Sequence, residues 1–224
     1  MDSNPARRDP WPWVGLACVL AFIILATLVV RRGSLAFDEP LAAAIQALPI
    51  PVWFWEACTF LGGAVLVPIE IGFVLGAALT RRFRLAIILA VVLIVAAVFT
   101  DLVKDYVARP RPTLDPLVTA TGYSFPSGHT LNSTVTYGLL ALVAWRSGLP
   151  LAVRRGAVAL GVMLPFLVGL SRIALGVHSP TDVLGGWLAG IAFVALAATL
   201  IRLTGAMERD LPRRAATGQT TRAS

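Results

Sequence analysis

Long apolar segments separated by short polar ones make up most of this chain. A helix needs about 20 predominantly apolar residues to cross a bilayer, and the pattern predicts six such helices, over residues 13–30, 60–80, 85–101, 130–145, 153–170 and 183–201. The second contains Pro68 and Glu70, the fourth begins with several polar residues, and the fifth contains Pro165. Because six is an even number, both chain ends are expected on the same side of the membrane.

Composition supports the same fold class. Hydrophobic residues make up 57% of the chain and charged residues 14%, and the mean hydropathy of +0.79 is far above that of soluble globular domains. The predicted fold is therefore all-α, a polytopic membrane bundle of six transmembrane helices. We expect one domain over residues 13–203, a cytoplasmic N-terminal tail over residues 1–12, and a cytoplasmic, disordered tail over residues 204–224.

The basic residues predict the orientation of this bundle. Cytoplasmic loops carry the excess of Lys and Arg, and an inside N-terminus places thirteen of the 19 basic residues in the cytoplasm. Only six then lie outside, namely Arg31, Arg32, Lys104, Arg109, Arg111 and Arg172. The net charge of +7 is explained by this topology and by attraction to anionic lipid, so we expect no nucleic-acid partner.

The first 60 residues carry no catalytic pattern. The first span is interpreted as an uncleaved anchor, because its apolar run ends in two arginines without a small-x-small cleavage site. The stretch FDEPLAAAIQAL predicts a short interfacial helix capped by Asp38, and Trp53, Phe54 and Trp55 after it predict an interfacial aromatic belt. The two cysteines are interpreted as small hydrophobic residues, since their spacing indicates neither a metal site nor a disulfide.

The residues suited to catalysis gather on the predicted outer face of the membrane. The single lysine and both histidines of the chain, Lys104, His129 and His178, all lie there in three segments distant in sequence. This coincidence predicts an active site at the outer membrane face.

Five residues on this face are suited to binding a phosphoryl group. Lys104, Arg111 and Arg172 offer roughly ten N–H donors for its oxygens. Ser127 and Gly128 precede the fourth span, where backbone N–H groups at a helix N-terminus can bind an anion and glycine permits close approach.

The segment HSPTD predicts a nucleophile. Ser179 can cap the sixth span and Pro180 suits its first turn, so His178 lies just outside the helix and Asp182 inside it. A carboxylate bonded to one imidazole nitrogen leaves the other nitrogen free to attack. His129 then remains available as a general acid.

These segments resemble the three signatures of the type 2 phosphatidic acid phosphatase superfamily, integral-membrane lipid phosphate phosphatases. KDYVARPRP is similar to the first signature, a lysine followed after six residues by Arg-Pro. PSGH at 126–129 is similar to the second, and SRIALGVHSPTD at 171–182 to the third. The resemblance covers the chain from about residue 60 to residue 203.

The resemblance implies a lipid phosphatase that needs no metal or other cofactor and acts through a phosphohistidine. By matching position it implies that His178 is the nucleophile, that Asp182 orients it, and that His129 protonates the leaving oxygen and later activates water. It implies phosphate binding by Lys104, Arg111, Ser127, Gly128 and Arg172.

Other polar residues near the signatures are given lesser roles. Arg109 is interpreted as a solvated loop charge, and Ser171 as a residue that forms hydrogen bonds at a helix end. Glu70 and Asp101 are ionisable groups in or near the membrane and therefore functional candidates. Asp101 is placed to position Lys104, whereas Glu70 has no assigned partner.

Three other functions stay open at this stage. A vanadate-dependent haloperoxidase shares these motifs, although such enzymes are typically soluble. A protein that binds or transports anionic lipids without catalysis would use the same cations. A metal hydrolase built on the two histidines and Asp182 lacks the further carboxylates that a two-metal site needs.

The expected substrate is a lipid phosphate or diphosphate of the outer leaflet. Undecaprenyl diphosphate, phosphatidylglycerol phosphate and phosphatidic acid all fit; a bacterial source favours the first two, and the sequence does not rank those two. An arginine-rich, lysine-poor chain favours a bacterial inner (plasma) membrane, with the site facing the periplasm or exterior. The sequence does not indicate an oligomeric state.

Overall fold

Residues 9–112 and 116–207 of this protein are described by a computed structural model. These residues form helices and connecting segments, without strands, which confirms the predicted all-α class. The eight helices are α1 (Trp11–Arg32), α2 (Asp38–Gln46), α3 (Val52–Phe60), α4 (Leu66–Leu79), α5 (Phe83–Val107), α6 (Gly128–Trp145), α7 (Leu151–Ala174) and α8 (Pro180–Thr204). The predicted tails lie largely outside the described residues, although α1 begins within the first tail, at Trp11, and α8 ends at Thr204.

Four of these helices, α1, α5, α7 and α8, are long and apolar enough to cross a membrane. Helix α4 is apolar but has only 14 residues. The exposed side chains of α1 include Leu16, Leu20, Ile23 and Ile24. Such an apolar surface is stable in lipid and unfavourable in water. The chain is therefore an integral membrane protein with a helical bundle.

The predicted second span, residues 60–80, is not one helix. Phe60 ends α3, residues 61–65 form turns, and α4 begins at Leu66. The turn brings the backbone close to two other helices: a Cβ added at Gly62 would clash with Cγ1 of Val168 and would lie 3.2 Å from the carbonyl oxygen of His129. Hydropathy alone does not show such a break, because the residues of the turn are small and apolar.

Helix α6 lies inside the bundle, packed against α4, α5, α7 and α8. This explains the polar start of the fourth predicted span, because its hydroxyl groups face protein and bond to nearby groups. Thr134 donates to the carbonyl oxygen of Thr130 at 2.6 Å, and Thr130 donates to Oγ of Ser127 at 3.0 Å. Glycine in α8 permits the close approach, since a Cβ at Gly186 would lie 2.8 Å from Cβ of Thr130.

The segment between α1 and α4 differs from its prediction in two places. Asp38 does not cap α2, whose N-cap is Phe37; its buried carboxylate instead accepts a hydrogen bond of 2.9 Å from the backbone N–H of Thr181 in α8. Trp55 is not part of a membrane-facing belt, because it is buried in a cluster with Leu175 and Val177. Both residues serve to fasten α2 and α3 to the ends of α7 and α8.

Candidate active site

The three signature segments meet at one end of the bundle. Electrostatic interactions connect His129 with Arg172, His178, Lys104 and Arg111. These residues come from the end of α5 and the loop after it, the start of α6, the end of α7, and the turn before α8. Antiparallel neighbours place these ends together, so segments 70 residues apart in sequence share one site.

The start of α8 positions His178 and Asp182. Ser179 is the N-cap, Pro180 is the first helical residue, and Oδ2 of Asp182 accepts a hydrogen bond of 2.8 Å from the backbone N–H of Ser179. The same Oδ2 lies 3.4 Å from Nδ1 of His178. A carboxylate accepts hydrogen bonds, so Nδ1 carries the proton and Nε2 carries the lone pair.

His178 is held neutral by its surroundings. Burial lowers its pKa to about 4, since a charged imidazolium would lose its solvation there. Asp182 opposes this shift, whereas the positive charges of Arg172 and Arg111 reinforce it. A neutral imidazole with a free Nε2 at neutral pH is the form that can attack phosphorus.

Arg111 lies beside the free nitrogen of His178. Its Nη1 is 3.3 Å from Nε2 of His178 and donates to the carbonyl oxygen of Val177 at 2.9 Å. Its Nε and Nη2 donate to the carbonyl oxygens of Gly122 and Thr121, at 3.1 and 2.7 Å. Three carbonyl groups therefore fix the guanidinium plane next to Nε2 of His178.

Arg172 brings a second guanidinium from the last turn of α7. Its Nη1 donates to Oγ1 of Thr59 at 2.6 Å, which ties α7 to α3. Its Nε is buried and has no hydrogen-bond partner among the described residues. A buried donor of this kind is costly to leave unpaired, and an anion at the site would pair it.

The start of α6 differs from the sequence prediction at one residue. The backbone N–H of Ser127 is not free for an anion, because it donates to the carbonyl oxygen of Asp182 at 3.0 Å. Gly128 lies beside Lys104, since a Cβ there would lie 3.6 Å from Nζ of Lys104. The ammonium group thus lies against the positive end of a helix, an arrangement that an anion between them would stabilise.

His129 is the second residue of α6 and faces the turn after α3. A Cβ at Gly63 would lie 3.4 Å from Nε2 of His129. His129, Lys104 and Asp101 line a cavity of about 370 Å³ that continues between α4, α5 and α6 to Glu70. The structure also supplies the partner that Glu70 lacked, because Oγ1 of Thr136 donates to Oε1 of Glu70 at 2.6 Å.

Two residues at the site were not predicted. Arg109 is not a solvated loop charge: it is 6% exposed and donates through Nη1 to Oδ1 of Asp182 at 2.6 Å and to Oγ1 of Thr181 at 2.7 Å. Its Nη2 donates to Oδ2 of Asp38 at 3.0 Å. Its place two residues before Arg111 was the only available signal, and nothing near Asp38 in sequence indicates a role at α8.

Within the described ranges, no group of three or more His, Cys, Asp or Glu side chains is arranged to hold a metal ion. The site offers several cations around the neutral imidazole of His178. Such a set can bind a phosphoryl group and transfer it to nitrogen.

This chain is similar in sequence to known phosphatases. The family model of the PAP2 superfamily matches residues 85–205. Phosphatidylglycerophosphatase B of Bacillus subtilis is 30% identical over 178 residues, which are 77% of this chain and 87% of that protein. Undecaprenyl-diphosphatase of Sulfolobus acidocaldarius is 31% identical over 137 residues, 58% of this chain and 61% of that protein.

A solved structure is similar over nearly the whole chain. It is the crystal structure of the first transmembrane PAP2 type phosphatidylglycerolphosphate phosphatase from Bacillus subtilis, with a TM-score of 0.77 and 26% sequence identity. The match covers 89% of this chain and 100% of that chain.

Proposed function

This chain belongs to the PAP2 superfamily, and on that premise we propose that it hydrolyses the terminal phosphate of a membrane lipid through a phosphohistidine on His178. The relatives named as phosphatases of lipid phosphates support the activity. The observation that carries the proposal is the pairing at His178, whose Nδ1 faces Asp182 while Nε2 faces Arg111.

In the first step, Nε2 of His178 attacks phosphorus and the bond from phosphorus to the lipid oxygen breaks. His129 donates a proton to that leaving oxygen; it carries this proton once the bound phosphate anion offsets the surrounding positive charges of Arg172, Lys104 and Arg111. The imidazole gains positive charge as the phosphorus–nitrogen bond forms, and Asp182 stabilises that charge. Arg111 and Arg172 lie where they can hold the phosphoryl oxygens, which carry negative charge in the transition state.

In the second step, water replaces the lipid. His129, now neutral, accepts a proton from a water molecule that attacks phosphorus, and the phosphorus–nitrogen bond breaks. Inorganic phosphate leaves, and His178 regains its lone pair at Nε2. The proton given to the leaving oxygen in the first step is thereby restored to His129.

The substrate is a lipid phosphomonoester or diphosphate. The cavity beside His129 continues between α4, α5 and α6, so the lipid end of a substrate can reach the proposed acid from the membrane. Similarity to the Bacillus protein favours phosphatidylglycerol phosphate as the substrate, and similarity to the Sulfolobus protein favours undecaprenyl diphosphate. Phosphatidic acid fits the same chemistry.

We further propose six transmembrane helices, with α4 and α6 added to the four long apolar ones. Six spans put both termini on one side of the membrane, which we propose is the cytoplasm, with the site on the outer face of a bacterial inner membrane. The distribution of Lys and Arg supports this orientation. The packing of α6 among α4, α5, α7 and α8 supports its place as an internal span despite its polar first turns.

The decisive experiment is phosphate release by the purified protein from a panel of the three lipid classes, with and without EDTA. We expect hydrolysis of at least one lipid, no loss with EDTA, and no activity in His178→Ala. An EDTA-sensitive wild type or an active His178→Ala variant contradicts the mechanism. Binding of every lipid without turnover favours a transport or scaffold role instead.

Trapping the intermediate tests the covalent step directly. Substrate carrying labelled phosphate should leave label on the protein after rapid quenching in base, where phosphohistidine survives. The label should be absent from His178→Ala. Halide oxidation in the presence of vanadate, without phosphate release, would instead indicate a haloperoxidase.

A further inference from the structure

A buried charge network lies behind the proposed nucleophile. Arg109 is 6% exposed, Asp38 is 2% exposed and Asp182 is fully buried. The Arg109 guanidinium bridges the two carboxylates, with Nη1 on Asp182 Oδ1 at 2.6 Å and Nη2 on Asp38 Oδ2 at 3.0 Å. These residues come from the loop after α5, from α8 and from α2, so the network joins three separate parts of the fold.

The two oxygens of Asp182 have different partners. Oδ1 accepts from Arg109, whereas Oδ2 accepts from the backbone of Ser179 and faces Nδ1 of His178. A carboxylate bound on one oxygen by a guanidinium cannot rotate to offer that oxygen to the imidazole. The Arg109 contact therefore determines which oxygen orients His178.

Asp38 holds Arg109 in this position. Its Oδ1 accepts from the backbone N–H of Thr181 and its Oδ2 accepts from the hydroxyl of Thr181, each at 2.9 Å. Oδ2 also accepts from the backbone N–H of Leu35 at 3.0 Å. The carboxylate is thus fixed at the N-terminus of α8, where a helix favours negative charge, and a buried Arg109 gains a second counter-charge.

The donors of Arg109 are engaged by the protein itself. Both of its Nη atoms bond to Asp182, Thr181 or Asp38, whereas Arg111, Arg172 and Lys104 interact electrostatically with His129. Arg109 thus differs from the cations assigned to phosphate. Arg109 therefore affects the reaction through Asp182.

We propose that Arg109, held by Asp38, is a positioning residue that keeps Asp182 ionised and aimed at Nδ1, so that His178 stays in the tautomer with a free Nε2. The kinetic part of this inference rests on the proposed function, but the tautomer can be observed without any substrate. The network of two carboxylates and one guanidinium carries one net negative charge. This negative charge favours the attack on phosphorus, in which His178 gains positive charge.

The test uses the fact that the chain has only two histidines. Nitrogen NMR of the full-length protein with labelled histidine, in lipid nanodiscs without substrate, reports the tautomer and titration of each ring, and His129→Gln assigns the signals. In wild type we expect a single His178 tautomer protonated at Nδ1. In Arg109→Gln we expect a second tautomer, and protonation of His178 at a higher pH because a nearby cation has been removed.

Asp38→Asn distinguishes a positioning role of Arg109 from a general loosening of the fold. This variant removes an anion, so His178 should not protonate at a higher pH than in wild type, and the double variant should lie between the two single ones. General loosening would expose His178 and raise its pKa towards 6.5 in both variants. Arg109→Lys, which keeps the cation, should keep the wild-type titration.

Kinetics give the second readout. Arg109→Gln should lower kcat by roughly 10–100-fold, as loss of an orienting partner does, and leave KM within about twofold. Arg31→Gln and Glu39→Gln change exposed residues and should leave both constants unchanged.

The inference is overturned if Arg109→Gln keeps the wild-type tautomer and titration, or if Asp38→Asn raises the protonation pH as much as Arg109→Gln does. If Arg109→Gln does not fold, the pH at which His178 becomes protonated in Arg109→Lys and in Asp38→Asn tests the inference instead. If wild type hydrolyses no lipid phosphate while these NMR changes appear, the proposed function fails and the positioning role stands.

Discussion

Nη1 of Arg111 lies 3.3 Å from Nε2 of His178, the nitrogen that bears the lone pair. The same guanidinium is fixed by the carbonyl oxygens of Thr121, Gly122 and Val177. The proposed attacking atom and the proposed phosphate-binding cation are thus held together before any substrate binds. An arrangement that needs no reorganisation lowers the barrier to phosphoryl transfer.

Arg111→Lys should therefore be a severe change although it keeps the charge. An ammonium group cannot reach three carbonyl oxygens and a phosphoryl oxygen with the planar geometry of a guanidinium. We expect kcat/KM for phosphate release to fall on the order of 100-fold. Arg31→Lys, on an exposed arginine at the end of α1, is the matched control. A change of less than twofold in Arg111→Lys contradicts the role.

The role of His129 should depend on the leaving group. Protonation matters for a lipid alkoxide, which is a poor leaving group, and matters little for nitrophenolate. We expect His129→Gln to slow hydrolysis of a lipid phosphomonoester by roughly 10²–10⁴-fold. With p-nitrophenyl phosphate the same variant should release a burst of nitrophenol and then stall, because water attack still needs the base.

Stopped-flow absorbance measures this burst directly. Its amplitude should approach one nitrophenol per enzyme molecule, and the phosphorylated protein should accumulate. Equal slowing of both substrates, without a burst, would show that His129 has another role.

His178 should make stability depend on pH. Its pKa is about 4 in the folded protein, below the ordinary value of 6.5, so between these values the unfolded chain binds a proton that the folded chain does not. The contribution of His178 to the free energy of unfolding is therefore complete above pH 6.5, and it is lost as the pH falls towards 4. Thermal unfolding of His178→Gln should show a smaller decrease over this range. Parallel curves for the two proteins contradict the prediction.

Helix packing at Gly186 should control the position of the α6 start. A Cβ there would lie 2.8 Å from Cβ of Thr130 and 2.9 Å from the carbonyl oxygen of Ser127. We expect Gly186→Ala to destabilise the fold by about 1–3 kcal/mol and to lower activity, measured by thermal unfolding and phosphate release. Gly72→Ala is the matched control, because a Cβ at Gly72 meets nothing within 4 Å.

The proposed orientation can be tested by cysteine labelling. In a variant without Cys18 and Cys58, an impermeant maleimide should label Ala36→Cys, between α1 and α2, in intact cells. Gly148→Cys, between α6 and α7, should react only after the membrane is permeabilised. The reverse pattern would overturn the orientation, and labelling of both positions in intact cells would overturn the span count.

Much of the fold could be predicted because membrane helices are encoded locally. Five of the six predicted spans lie within single helices, and four of these helices are long and apolar enough to meet the requirement of lipid on their own. The predicted bounds of the second span were wrong, because the break at residues 61–65 depends on packing against α6 and α7. A run of small apolar residues has the same hydropathy whether it forms a helix or a turn.

The sequence by itself determined the all-helical class, the family, and the set of cations and histidines, because residue types and short spacings carry that information. Only the tertiary structure decided how these residues are used. It placed Asp38 at the start of α8, buried Arg109 against Asp182, and engaged the backbone N–H of Ser127. The physical reason is that a buried charge needs a partner, and which partner it finds depends on how distant helices pack.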